Sequence, residues 1–232
     1  MIRTLLKNLS LFDNWQTLLV TFLLEPFFVV LFFYLVSPQT QVEKLILTAL
    51  VLTASSSIIG IYAQFLVLAG NIDILKEIFI DIKGFLRFNA SALLIAVVVS
   101  LLQSGILLGV YRFLNFEVQI ELNTAFLLIF MLVIFSSIFA MLAGIASLTR
   151  NNPYFYSNLL MGLLPIASAT LIPITAYPFW LALLSKILPF WNIQNLIWEG
   201  KFHLTWSLVY FLISLALLIV IAVQKRKKIL ST

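Results

Sequence analysis

LNTAFLLIFMLVIFSSIFAMLAGIAS, residues 122–147, runs for 26 residues without a charged side chain. As an α-helix it reaches about 39 Å, more than the roughly 30 Å of hydrocarbon in a bilayer. Such a helix is apolar all round and must be covered on every side by protein or by lipid. The rest of the chain decides which. Of 232 residues, 62% are hydrophobic and 10% are charged, whereas soluble domains carry about 25% charged residues. A water-soluble globule of this size has too few charged side chains to clothe that much apolar surface. The composition therefore excludes a soluble enzyme and a disordered tail, and makes the bilayer the solvent.

Working outward from 122–147, other charge-limited runs give five more expected spans. Residues 14–36 are interrupted only by Glu25 and closed by Ser37-Pro38-Gln39. Residues 45–70 and 88–111 follow, the latter set between Arg87 and Arg112. Residues 151–185 carry no charge but are punctuated by Pro153, Pro165, Pro173 and Pro178. They are read as a fifth span over 154–176 followed by a shorter element. The sixth span is 204–224. The start lacks a small-residue cleavage site ahead of a full-length span, so it is expected to be retained rather than removed as a signal peptide.

Direction follows from the 14 Lys and Arg residues, since cytoplasmic loops are enriched in them. Arg3, Lys7, Lys76, Lys83, Arg87, Arg150, Lys225, Arg226, Lys227 and Lys228 fall in segments on one side, ten in all. Lys44, Arg112, Lys186 and Lys201 fall on the other, four in all. This imbalance places both termini in the cytoplasm, which requires an even number of spans. The small net charge of +5 gives no reason to expect a nucleic-acid partner. With no Cys and one His, disulfides, thiolate metal sites and histidine metal clusters are excluded.

Three further segments are not spans. In residues 1–13, Ile2, Leu5, Leu6, Leu9 and Phe12 share one helical face, which suits a helix lying in the membrane interface. In residues 71–87, Ile72, Leu75, Ile78, Phe79, Ile82, Phe85 and Leu86 occupy one side of a helical wheel. Asp73, Lys76, Glu77, Asp81, Lys83 and Arg87 occupy the other, and only Ile80 intrudes. With Asn71 as N-cap, the pattern predicts one short amphipathic helix on the cytoplasmic side. It serves either as a solvated connection or as a docking element whose mixed charges set register. Residues 177–192 hold ten residues between Pro178 and Pro189, only about 15 Å of helix. They predict an external helical element that dips partly into the membrane, with Tyr177, Trp180, Trp191 and Trp198 at headgroup depth. The fold class is thus all-α: a polytopic membrane protein forming a single domain over 1–232.

This constellation resembles the permease subunit of an ABC-2 type transporter. The stretches that carry the resemblance are Tyr177-Pro178, Leu184-Ser185-Lys186-Ile187-Leu188-Pro189-Phe190 and Glu25-Pro26. Many relatives carry an acid followed by Gly-Thr on the cytoplasmic helix, where this chain reads Gly70-Asn71-Ile72-Asp73-Ile74-Leu75. The resemblance implies a transport subunit rather than an enzyme. Two six-span halves, the second being the same chain or a homologue, would work with cytoplasmic ABC ATPase subunits that bind ATP and Mg²⁺. The chain itself has no G-x-x-x-x-G-K-[ST] phosphate loop and is expected to bind no cofactor or metal. The resemblance makes 71–87 a coupling helix, with Asp73, Lys76, Glu77, Asp81, Lys83 and Arg87 as candidates for contact with the ATPase. The cargo would be a hydrophobic or amphipathic peptide, drug or lipid-like molecule leaving across the cytoplasmic membrane.

Candidates for the substrate path are Glu25, Gln64 and Gln103, since polar side chains at membrane depth are functional suspects. For Glu25 a position nearer the cytoplasmic interface, paired with Arg or Lys, is the alternative. Three other functions compete, one of them a non-transporting immunity or sensor protein of the same architecture, which only activity distinguishes. An energy-coupling subunit of an importer would carry long cytoplasmic helices with Ala-Arg-Gly-like motifs, which this chain lacks. An intramembrane lipid-modifying enzyme would need clustered acids or His at membrane depth, and here the acids are scattered.

Overall fold

A computed structural model describes residues 14–36, 42–72, 74–116, 118, 120–148, 150–168, 174 and 177–231. The interface helix expected over 1–13 lies outside them. All the regular elements among the described residues are helices. Four are long and apolar enough to cross a membrane. They are α3 (Val42–Asn71), α5 (Ile82–Phe113), α6 (Leu122–Ser147) and α10 (Leu204–Ser231).

The first expected span is one helical path in three pieces: α1 (Trp15–Leu19), a π-helical turn (Val20–Leu24) and α2 (Glu25–Val36). Pro26 explains the widened turn. It has no N–H to offer the carbonyl four residues back, and its ring crowds that carbonyl. α7 (Phe155–Ala167) is only 13 residues long and contains Pro165. The expected fifth span over 154–176 is therefore a helix only as far as Ala167, and 169–173 and 175–176 lie outside the described residues.

α3 is the hub. In its most apolar window 67% of residues are buried, against 17% in α10, so α3 is central and α10 peripheral. α2, α5, α6, α7 and α9 all pack against it. α6 is seated tightly on it at Gly144, where a Cβ would lie 2.6 Å from Leu66 Cδ1 and 2.9 Å from Tyr62 Cε1. Polar side chains join the hub to its neighbours. Ser57 Oγ donates to Gln103 Oε1 at 2.6 Å. The fully buried Tyr62 hydroxyl donates to Asn89 Oδ1.

Two expectations change in detail. Residues 71–87 are not one helix. α4 (Leu75–Ile80) ends at Asp81, whose backbone is extended (φ −108°, ψ 133°), and α5 starts at Ile82 and continues without interruption to Phe113. Lys83 and Arg87 thus belong to the long helix. Likewise Pro189 does not end the external element but starts a second helix. α8 (Phe179–Ile187) is followed by α9 (Phe190–Glu199), which stops at Gly200 in the left-handed conformation (φ 66°). Proline is tolerated at a helix start, and glycine takes a positive φ without strain.

Candidate functional site

The charged face expected over 71–87 survives the break. Lys76 and Glu77 on α4, Asp81 at the junction, and Lys83 and Arg87 on the first turns of α5 are all exposed. Asp73 lies outside the described residues. The apolar side divides in two. Ile78 and Phe79 are buried, with α4 packed on α10 and the Phe79 ring edge-on to Phe85 at 5.2 Å. Ile80, Ile82 and Leu86 remain exposed beside the charges. The surface at this corner is therefore mixed, with bulky aliphatic groups interleaved among two acids and three bases.

Three ties hold the corner. The Asp81 carbonyl accepts from the Phe85 N–H at 3.0 Å, the first helical bond of α5. Asn89 Nδ2 donates to the Phe85 carbonyl at 2.7 Å while its Oδ1 receives the Tyr62 hydroxyl, linking that turn to the hub. Arg226 Nη2, near the end of α10, donates to the Ile80 carbonyl at 2.9 Å. A cation at the C-terminal carbonyls of a helix also meets the negative end of its dipole. Sequence periodicity gives no sign of Arg226, because the contact joins residues 146 apart.

The tail and the loop after α6 meet at this same end. Lys225, one residue beyond the 204–224 span, has its pKa lowered by burial and then by the positive fields of Lys228 and Arg150. Four of the cations assigned to one side by the loop count, Arg150, Lys225, Arg226 and Lys228, thus gather around the α4 end of the bundle. The opposite end carries Lys44, whose Nζ donates to the Trp198 carbonyl at 2.9 Å, and the Lys201–Glu199 ion pair at 3.2 Å.

The opposite end also holds a polar latch that the sequence reading missed. Asn192 of α9 is fully buried. Its Nδ2 donates to the His203 carbonyl at 2.9 Å and to Ser207 Oγ at 2.5 Å, and its Oδ1 accepts from the His203 N–H at 3.1 Å. Thr48 Oγ1 donates to Gln194 Oε1 at 3.0 Å, fixing α9 to the start of α3. The available signal was the Asn192-x-Gln194 pair set among Phe190, Ile193 and Ile197: polar groups on an otherwise apolar turn need partners.

The candidate path residues do not form one cluster. The Phe27 carbonyl accepts from the Tyr111 hydroxyl at 3.4 Å, with the two rings stacked. The backbone of Glu25, two residues earlier, therefore lies level with the last turns of α5, far from the basic end. The Glu25 side chain itself is outside what the structure describes. Gln103 is buried and bonded to Ser57, which makes it a link between α3 and α5. Gln64 is half-buried on α3, about 10 Å along the helix from Ser57. An apolar cleft of about 240 Å³ opens between α5 and α6 over α3, lined by Leu50, Val51, Ala54, Leu101 and Leu128 among others. It falls below the roughly 300–1,000 Å³ of ordinary ligand pockets. The chain matches no protein-family model, no curated protein and no solved structure.

Proposed function

We propose that this chain is the transmembrane permease subunit of an ATP-binding cassette exporter of the ABC-2 type. In this reading it has six spans, the four long helices together with Trp15–Val36 and α7 with the residues that follow it. Both termini are cytoplasmic, and the chain is multi-pass in the plasma membrane. It works beside a second permease half, the same chain or a homologue. A cytoplasmic ATPase subunit binds ATP and Mg²⁺ and drives export of a hydrophobic or amphipathic substrate.

The observation that carries this reading is the exposed corner at α4. Lys76, Glu77, Asp81, Lys83 and Arg87 surround exposed Ile80, Ile82 and Leu86, at the end of the bundle where the cations collect. Aliphatic groups ringed by both signs of charge suit a specific protein partner, because the charges select and orient while the apolar groups supply burial. The corner is continuous with α5 and packed on α10, so movement of a partner has a route into the bundle.

The test is co-purification. The tagged chain extracted in mild detergent should retain a cytoplasmic ATPase, and reversing charge at Asp73, Glu77 and Asp81 should weaken that association. A chain that purifies alone, on which no added ATPase shows transport dependence, would refute the proposal.

A further inference from the structure

The loop after α6 and the start of α7 form a site that coupling does not use. Arg150, Asn151, Asn152 and Phe155 line a cleft of about 300 Å³. Arg150 is held in place there. Its Nη2 donates to the Tyr156 hydroxyl, and its guanidinium lies over the rings of Phe155 and Tyr156, 5.9 and 5.2 Å from their centroids. Asn152 Oδ1 accepts from the Tyr154 N–H at 2.9 Å, fixing the turn that leads into α7. Lys225 lies within the positive field of Arg150, so a second cation stands near the cleft.

The level of this cleft in the membrane is set by the helices around it. The apolar runs of α6 and α10 stop at Ser147 and just before Lys225, and that of α7 starts at Phe155. Arg150 and the two asparagines therefore lie where hydrocarbon gives way to headgroups. From the cleft an apolar stripe runs along α7. Phe155, Leu159, Leu163 and Ile166 are each 45–48% exposed, and at 100° per residue they fall within about 80° of one another. Gly162 lies on the same face with open space where a Cβ would be, so the stripe has a shallow floor. From Phe155 to Ile166 is about 16 Å along the helix, close to half of a roughly 30 Å hydrocarbon core.

We propose that this face of α7 binds one anionic phospholipid, with its phosphate against Arg150, Asn151 and Asn152 and an acyl chain along Phe155, Leu159, Gly162, Leu163 and Ile166. A guanidinium fork and carboxamide N–H groups match phosphate oxygens, and a one-leaflet apolar groove matches a chain attached to that phosphate. A soluble anion would use only the cleft, and a zwitterionic lipid would gain little from the cations. The site needs only that the chain sits in a bilayer. It stands or falls separately from ATPase association.

The experiment is native mass spectrometry on the full chain in mild detergent, titrated with phosphatidylglycerol or phosphatidylcholine of identical acyl chains. Phosphatidylglycerol should bind at least about fivefold more tightly, the increment expected for one cation at a membrane surface. R150Q should remove that preference, R150K should keep it, and K186Q at the opposite end should leave it unchanged. G162L, which fills the floor, should weaken both lipids several-fold, and it decides the matter if R150Q fails to fold. Equal binding of the two lipids by the wild-type chain, or an undiminished preference in R150Q, overturns the site. So does full competition by millimolar glycerol 3-phosphate together with indifference to G162L, which would make it a site for a free anion.

Discussion

Placing a methyl group at Gly144 tests how tightly α6 is seated on the hub. The new Cβ would stand 2.6 Å from Leu66 Cδ1, 2.9 Å from Tyr62 Cε1 and 3.1 Å from Tyr62 Cδ1, whereas carbon atoms rest at about 3.5–4.0 Å. Something must move by about 1 Å. Tyr62 is fully buried and its hydroxyl is bonded to Asn89, and Leu66 is 2% exposed, so neither has an empty direction to take. The helices must separate instead. Overpacking of this kind costs about 1–3 kcal/mol, while replacing a helical glycine by alanine returns about 0.5–1 kcal/mol. Gly144→Ala should therefore destabilise by about 1–2 kcal/mol. Gly105→Ala is the internal control: nothing lies within 4 Å of its Cβ, so it should be neutral or slightly stabilising. Reversible unfolding in mixed micelles with increasing SDS, followed by helical circular dichroism, reads both. Adding Leu66→Ala to Gly144→Ala should give a protein more stable than the sum of the single effects, because the larger clash is gone. A Gly144→Ala protein as stable as wild type, or no coupling with Leu66, would refute the packing described for α3 and α6.

Asn192→Leu keeps volume but strands the His203 N–H and the Ser207 hydroxyl; with buried unpaired polar groups costing about 1–3 kcal/mol each and membrane hydrogen bonds at the low end, a loss of about 2–3 kcal/mol is expected in the same unfolding assay. Arg226→Gln should barely change global stability, by at most about 0.5–1 kcal/mol for an exposed bond. It should instead raise amide hydrogen exchange over residues 75–80 without affecting α6; unchanged exchange there would show that the Arg226 contact does not hold α4.

The long helices were legible because an uncharged run has few alternatives. The run 122–147 matches α6 at both ends, and 45–70 lies within α3. Boundaries failed where the chain leaves the apolar zone. Residues 82–87 and 225–231 extend α5 and α10, since a helix continues in water once nucleated and nothing in those residues breaks it. The interruption at Asp81 carries no glycine or proline signal. The periodic pattern stays in phase across it, so two elements look like one. Pro189 was ambiguous for a chemical reason: proline follows one helix and starts the next equally well. Of the candidate site, the exposed charges were readable from periodicity. Arg226, Arg150 with Lys225, and Asn192 with His203 were not, because those contacts depend on how distant segments fold together.

The single extended residue at Asp81 has a mechanical consequence. The 32 residues of α5 make a rod about 48 Å long, with α4 fastened to its base by Asp81 and the Phe79–Phe85 ring contact, and to α10 by helix packing and the Arg226 bond. A rod pivoting at its middle is a balanced beam: a tilt of about 5° carries each tip about 2 Å, in opposite directions. A nudge at the base is thus returned, undiminished and reversed, at Tyr111 beside Phe27, while the bond to α10 drags a second rod along with the first.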